Sequence, residues 1–256
     1  MVTIKSPKEI KLMEEVGHLV AQTYEYIGSI IKAGMSTYEL DQLVEKFIRS
    51  HGGIPAEKGY PSGVRGVPDF PGSICASIND VVIHGIPSKK DIIKDGDIVS
   101  IDLVILKNGY NGDAARTYLI GECSEDKKHL LKVTEQAFWE GLKFCKPGYR
   151  VGDIGNAVAQ YCWDNGCDVI REFQGHGIGK EMHEDPGVPN YGKPGRGMRL
   201  EPGMTICVEP MVVAGKPDIW ELDDGWTIAT QDGSMSAHYE NTILITNDEP
   251  KILTLK

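Results

Sequence analysis

Apolar residues at positions 10, 13, 16, 20, 24, 27 and 31 recur every three or four residues, the spacing that lines one face of an α-helix. Ser6-Pro7-Lys8-Glu9 supplies the start signal, with a capping serine, proline at the first helical position and glutamate at the third. Ser36-Thr37-Tyr38-Glu39 repeats the capping box ahead of a stripe made by Leu40, Leu43, Val44, Phe47 and Ile48, and Gly52-Gly53 ends it. Two amphipathic helices are predicted near the N-terminus.

The same pattern returns 114 residues later. Gln136, Phe138, Lys146, Gly148, Ile154, Val158, Tyr161 and Gly166 stand against Gln22, Tyr24, Lys32, Gly34, Leu40, Val44, Phe47 and Gly52. After each helix pair comes strand-like sequence: 73–86, 97–106 and 113–121 in the first half, 204–213 and 234–246 in the second. Gly96 and Asp102 match Gly203 and Glu209 at a spacing of 107. Chance likeness between amphipathic helices would copy the apolar stripe, but not the glycines and carboxylates with it. The pattern predicts an α+β fold in which one domain, 1–256, is built from two related halves, roughly 1–122 and 123–256, around a shared cleft.

Composition narrows the class without changing this picture. The 256 residues are 41% hydrophobic and 25% charged, which excludes a disordered or fibrous chain. The net charge of −10 and the absence of a long basic run argue against nucleic-acid binding. The opening MVTIKSPKEI is polar and no apolar stretch reaches 18 residues, so a cytoplasmic protein with neither signal peptide nor membrane span is expected. Six cysteines without a CxxC pair point to free thiols rather than disulfides or a cysteine-ligated zinc.

Chemistry is carried by single acids inside apolar strands. Asp102 interrupts IVSI-D-LVIL, where an ionised carboxylate is costly unless paired. A hairpin turning at 107 and 108 would set Asp102 opposite Asp113, about 5 Å apart on one face. Bare, the two would repel by about 3 kcal/mol at an effective dielectric near 20. Either one is protonated or paired with Arg116, or a divalent cation sits between them. Glu209 in TICVEPMVV and Glu240 in SAHYENTILI are further lone acids, and the four call for a common counter-charge. His176, in Gln174-Gly175-His176-Gly177-Ile178-Gly179, could be a turn residue or a ligand; its flanking glycines would clear a ligand's approach. Carboxylates and an imidazole suit Mn, Fe, Co or Zn, and four acids exceed what one zinc needs, so two ions sharing bridging carboxylates is the economical reading. His84 and His183 follow strand sequence nearby. GHGIGK lacks the first glycine of a phosphate loop, and neither HExxH nor GxSxG occurs.

VVIHGIP, DIVSIDL, NGDAART, GHGIG, MHEDPGVPNYG, LEPGMTICVEPM and SAHYENTILIT together resemble the bacterial type I methionine aminopeptidases over nearly the whole chain. The resemblance implies the pita-bread fold, with pseudo-twofold halves flanking a dinuclear metal site. It places the ligands on Asp102, Asp113, His176, Glu209 and Glu240, with Co, Mn, Fe(II), Zn or Ni as candidate ions. It implies that His84 and His183 contact the scissile peptide, that Glu209 also moves protons, and that Cys75, Met182, Trp226, Phe70 and Tyr60 line a methionine pocket. The implied partners are peptides and nascent chains beginning with methionine and having a small second residue, with the ribosome a further candidate; a monomer that touches neither membrane nor nucleic acid is expected.

Some features depart from the family pattern. The segment between Tyr60 and Ser73 is longer than expected, and the 31 residues from Glu209 to Glu240 leave no room for the helical insertion of type II enzymes. No zinc-binding extension is expected ahead of the first helix. The loop from Lys216 to Gly225 carries Asp218, Glu221, Asp223 and Asp224 against one lysine, so it offers no basic patch. An Xaa-Pro aminopeptidase or prolidase on the same fold, a metal-free scaffold and an acidic calcium-binding protein are the rivals. None of the five ligands is missing, and acids scattered through strands do not form an EF-hand loop.

Overall fold

The structure, a computed structural model, describes residues 2–256. Helix α1, Pro7–Ile30, begins as predicted: the Glu9 N–H donates to Ser6 Oγ while the Glu9 carboxylate accepts from the Ser6 N–H at 2.9 Å. Met13, Val16, Val20, Tyr24 and Ile27 form its buried face. Helix α2, Thr37–Ser50, is capped by Ser36 Oγ, which accepts from the Glu39 N–H at 3.1 Å. Helices α3, Glu125–Leu142, and α4, Val151–Asp164, form the second pair.

The duplication is written in the backbone. Both ends of α4 lie 114 residues beyond those of α2. Gly52 and Gly166, just past the two helix ends, share a φ of 76°, a left-handed conformation that a Cβ makes costly. The isolated bridge Ser36 to Ile92 in one half has its counterpart in Arg150 to Arg199 in the other. The start of α4 differs locally: the Asp153 carboxylate takes the Arg150 N–H at 2.8 Å in place of a serine cap.

The helices cover a nine-stranded sheet whose central path runs Ile54–Pro55, Ile98–Lys107, Tyr110–Leu119, Glu240–Leu244, Thr205–Val208, Gln174–Gly177 and Glu184–Pro189, all neighbours antiparallel. Val16, Val20, Ile27, Leu40 and Val44 pack on Val99, Ile101, Leu103 and Ile105; in the other half Leu130, Phe138, Ile154 and Val158 pack with Ile206, Val208 and Ile243. Each such side chain contributes about 1.5–3 kcal/mol by leaving water. The pairing of Glu240 and Asn241 with Ala115 and Ala114 joins the two halves at mid-sheet.

Three predicted strands are broken in the structure. Segment 73–86 splits into Cys75–Ile78 and Val81–Ile83 around Asn79, whose φ is 57°. Segment 204–213 splits at Glu209-Pro210, where proline brings no N–H to the ladder, and its second part, Met211–Val213, crosses to a three-stranded sheet. Segment 234–246 splits at Tyr239 into Ser236–His238 and Glu240–Leu244. Glu209 and Glu240 thus stand at sheet corners. The predicted loop 216–225 likewise contains a short strand, Ile219–Glu221, paired with Ile228–Thr230.

The hairpin register also differs from expectation. Asn108 and Gly109 both have positive φ, 53° and 81°, as a two-residue hairpin turn requires, so the turn lies at 108–109. Lys107 pairs with Tyr110, Asp102 faces Ala115, and Asp113 faces Val104. Asp102 and Asp113 are diagonal neighbours, not opposite ones. All six cysteines are free and buried, and among the described residues no helix is long and apolar enough to cross a membrane.

Candidate active site

One row of directly opposed residues crosses four strands: Cys75, Asp102, Ala115 and Glu240. Opposed residues share a face, and alternation adds Asp113, two before Ala115. Ala115 is fully buried at the centre, and its single methyl leaves room for the acids around it. Cys207, opposite Thr242, brings the next strand onto this face, and Glu209 follows two residues later at the corner. His176 enters from the far strand at a bulge between Gly175 and Gly177.

The glycines beside His176 do not serve the expected purpose. A Cβ on Gly175 would lie 2.3 Å from the Cys207 carbonyl oxygen, and one on Gly177 would lie 2.1 Å from that of Asp185. They let neighbouring backbone approach, rather than clearing a path for a ligand.

The side chains converge without satisfying one another. His176 Nδ1 is 2.8 Å from the Gly177 carbonyl, an acceptor only, so Nδ1 carries the proton and Nε2 presents a lone pair. That Nε2 lies 3.6 Å from Asp113 Oδ2 and 3.7 Å from Glu209 Oε1. Such spacings are too long for hydrogen bonds and suit donors sharing an ion at about 2.0–2.2 Å from each. Asp102 Oδ1, Asp113 Oδ1 and Glu240 Oε1 are buried without a hydrogen-bond partner. Arg116 does not neutralise them: its guanidinium lies against the rings of Tyr24 and Tyr239, and donates to the Ala115 and Glu240 carbonyls and to Asn241 Oδ1. The arginine-paired alternative falls, and the donor set fits divalent cations.

Burial pushes Asp102 up to about 7, and burial with mutual repulsion holds Asp113, Glu209 and Glu240 well above the usual carboxylate range. Burial holds His176 and His84 down to about 4 and His238 to about 3. The signs oppose. Raised carboxylates stabilise the fold at low pH and lose that effect as pH climbs through their folded values; depressed histidines destabilise it only below their ordinary value near 6.5. Above that value the carboxylates act alone among these groups. Metal-free protein should therefore melt at progressively lower temperature from pH 6.5 to 8, read by calorimetry; a flat or rising Tm would contradict this electrostatic account.

A cleft of about 890 Å³ opens over the acids, and every residue singled out by sequence lines it: Tyr60, Phe70, Cys75, His84, Asp102, Asp113, His176, Met182, His183, Glu209, Trp226 and Glu240. The Tyr60 hydroxyl is 2.9 Å from His183 Nδ1. His84 adopts φ 57° and sets its ring edge-on to Phe173, 5.7 Å between centroids. Phe70 stands edge-on to Trp226 at 5.2 Å, and Trp226 Nε1 donates to the Pro68 carbonyl at 2.9 Å, so the long segment after Tyr60 braces this wall.

Sequence reasoning missed three groups here. His238 Nε2 is buried, 3.8 Å from Glu209 Oε2 and 3.9 Å from Glu240 Oε2; its position two residues before Glu240 was the available signal. Phe173 and the buried acid Glu57 also line the cleft. Glu57 lies just ahead of the long segment after Tyr60 and carries no strand pattern that marks it.

Metallopeptidase family M24 matches residues 11–247. Over 255 residues, the chain is 47% identical to the methionine aminopeptidase of Clostridium acetobutylicum, covering 100% of this chain and 99% of the relative. Identity is 46% over 254 residues to methionine aminopeptidase 1 of Bacillus subtilis, covering 99% of each. The crystal structure of methionine aminopeptidase from Rickettsia prowazekii matches with a TM-score of 0.95 and 40% identity over 100% of both chains. The helix pairs and antiparallel strands form the pita-bread fold, and the chain belongs to metallopeptidase family M24, among the bacterial type I methionine aminopeptidases.

Proposed function

We propose that Asp102, Asp113, His176, Glu209 and Glu240 hold two divalent ions, and that the cleft above them binds a peptide by its N-terminal methionine. The protein is a metal-dependent methionyl aminopeptidase. The observation that carries the site assignment is the convergence of five buried or half-buried donors with no cationic side chain among them. When bound, the ions supply a nucleophilic water at neutral pH and polarise the scissile carbonyl.

The chain's own residues do the rest. Glu209, at the sheet corner, faces both the cluster and the open cleft, and is placed to take a proton from the attacking water and return it to the departing amine. With Tyr60 donating to Nδ1, His183 keeps a proton on Nε2 to offer the developing oxyanion. His84 is held to about 4 by burial and by nearby His183, so it is neutral at pH 7 and contacts the peptide as a polar group, not a cation. Phe70, Trp226, Met182 and Cys75 give an unbranched thioether dispersion and sulfur–aromatic contact.

The test compares kcat/KM for Met-Ala-Ser, Leu-Ala-Ser, acetyl-Met-Ala-Ser and Ala-Pro-Ala. Met-Ala-Ser should exceed Leu-Ala-Ser by at least about tenfold, since a pocket shaped for an unbranched chain resists branching. The acetylated peptide, lacking a free amine, should not react. Equal rates for the first two would remove the methionine pocket, and preference for Ala-Pro-Ala would move the chain to the Xaa-Pro rival.

A further inference from the structure

His183 is exposed to the cleft, and its ring is held by the Tyr60 hydroxyl and by the edge of His176. Neither contact fixes the backbone that carries it. That backbone is a turn, 178–183, between the strands Gln174–Gly177 and Glu184–Pro189. Asn111 ties its first part: the Asn111 N–H donates to the Gly179 carbonyl at 2.8 Å, and Asn111 Nδ2 donates to that of Lys180 at 2.9 Å. The last part, with Met182 and His183, is tied by the next residue, Glu184. The Glu181 N–H donates to Glu184 Oε1 at 3.4 Å, and Lys5 Nζ donates to Oε2 at 2.7 Å. Lys5 comes from the arm ahead of α1, at the other end of the chain.

Several independent features build this contact. The Lys5 and Glu184 side chains are 4% and 9% exposed. The Thr3 hydroxyl donates to Glu184 Oε2 and accepts from Lys5 Nζ, so it bridges the pair. The Lys5 N–H donates to the Gly203 carbonyl at 2.8 Å, which pins the arm to the second half of the domain. A Cβ on Gly179 would lie 2.6 Å from Glu184 Oε1 and 2.8 Å from Lys5 Nζ, so that glycine makes room for the pair. Burial works to raise the Glu184 carboxyl, but the bonds from Lys5 and Thr3 outweigh it and hold it below the usual carboxylate range. Apolar residues of similar volume could hold the arm here without the cost of burying two charges. What the carboxylate adds is direction: one oxygen takes the arm, and the other takes the backbone of the turn that presents His183.

We infer that Lys5 and Glu184 are positioning residues of the hydrolysis: through their ion pair, the N-terminal arm clasps the turn and sets where the His183 imidazole stands over the metal cluster. This rests on the role proposed above for His183. A small displacement of a catalytic group is enough to slow a reaction strongly, so the clasp acts on kcat through that one imidazole.

The experiment uses the full chain, loaded with Mn(II) for kinetics and with diamagnetic Zn(II) for NMR of the histidine rings. The paired replacement Lys5→Met with Glu184→Leu leaves no lone buried charge and should fold. Assayed on Met-Ala-Ser well below its Tm, it should lower kcat at least about tenfold. Introduced into His183→Ala, the same replacement should cost less than about twofold, because the pair acts through the missing imidazole. The His183 ring signals, assigned by their loss in His183→Ala, should shift in the paired replacement, while those of His129 on α3 stay. A purely structural ion pair predicts otherwise, and a folded paired replacement with wild-type kcat overturns the inference. Equal losses with and without His183 overturn it too, as do unmoved His183 signals. Should the paired replacement fail to fold, Thr3→Val at an exposed position removes the bridging hydroxyl; it should lower kcat severalfold in the presence of His183 and not in its absence, and an unchanged kcat overturns the inference. If the wild type cleaves no peptide, the aminopeptidase reading fails, while the His183 signals still decide whether the arm places that ring.

Discussion

Stripped with a chelator, the protein should lose hydrolysis of Met-Ala-Ser by about two orders of magnitude or more and recover it on addition of Co, Mn or Fe(II). The expectation follows from charge. Asp102, Asp113, Glu209 and Glu240 lie on or beside one buried face, with two of their oxygens 3.6–3.7 Å from a single imidazole nitrogen and no lysine or arginine within the group. Arg116, the one cation close in sequence, spends its donors on carbonyls and an amide behind the sheet. Without cations, burial and mutual repulsion push all four acids toward their protonated forms. Asp102→Asn should weaken metal binding, because it removes one charge and one donor oxygen while keeping the shape. Full activity in protein shown metal-free by elemental analysis would end the metal-dependent reading, and unchanged occupancy in Asp102→Asn would remove that residue from the ligand set.

Local chemistry was legible where it decides structure within a turn or two. The serine caps of α1 and α2 and the matched left-handed glycines after α2 and α4 need only neighbours in sequence, and they lie where the pattern put them. Register was less legible. Asn108-Gly109 is a strong turn signal, yet placing the turn one residue early moved Asp102 from a diagonal to a direct partner of Asp113. Apolar runs 204–213 and 234–246 read as single strands because hydrophobicity does not report a change of sheet; the corners at Glu209-Pro210 and Tyr239 depend on what packs on either side. The five implied ligands converge because Asp102, Asp113 and Glu240 share one side of the strand alternation, Glu209 stands at a corner and His176 enters at a bulge. Glu57 was invisible for the opposite reason: it lies in no periodic segment, and its place on the cleft wall depends on a turn whose partners, Val104 and Phe70, are distant in sequence.

His183→Ala and His84→Ala should each lower kcat about 10²-fold or more, the cost typical of losing one preorganised transition-state donor, with the fold and the metal content preserved. Neither imidazole forms an ion pair with the carboxylate cluster, whereas His176 and His238 both lie within 4 Å of it. His183 instead touches the His176 ring edge-on, 4.4 Å between centroids, and holds the Tyr60 hydroxyl. Tyr60→Phe separates positioning from chemistry: it keeps the ring in the pocket and removes only the hydroxyl that orients His183. It should lower kcat by less than His183→Ala does, and when combined with His183→Ala should cost little more, because the two act through one hydrogen bond. A His84→Ala variant that lost metal would transfer His84 to the ligand set. Fully additive losses for Tyr60→Phe and His183→Ala would mean that the hydroxyl acts on substrate directly, and the orienting role given to Tyr60 would be wrong.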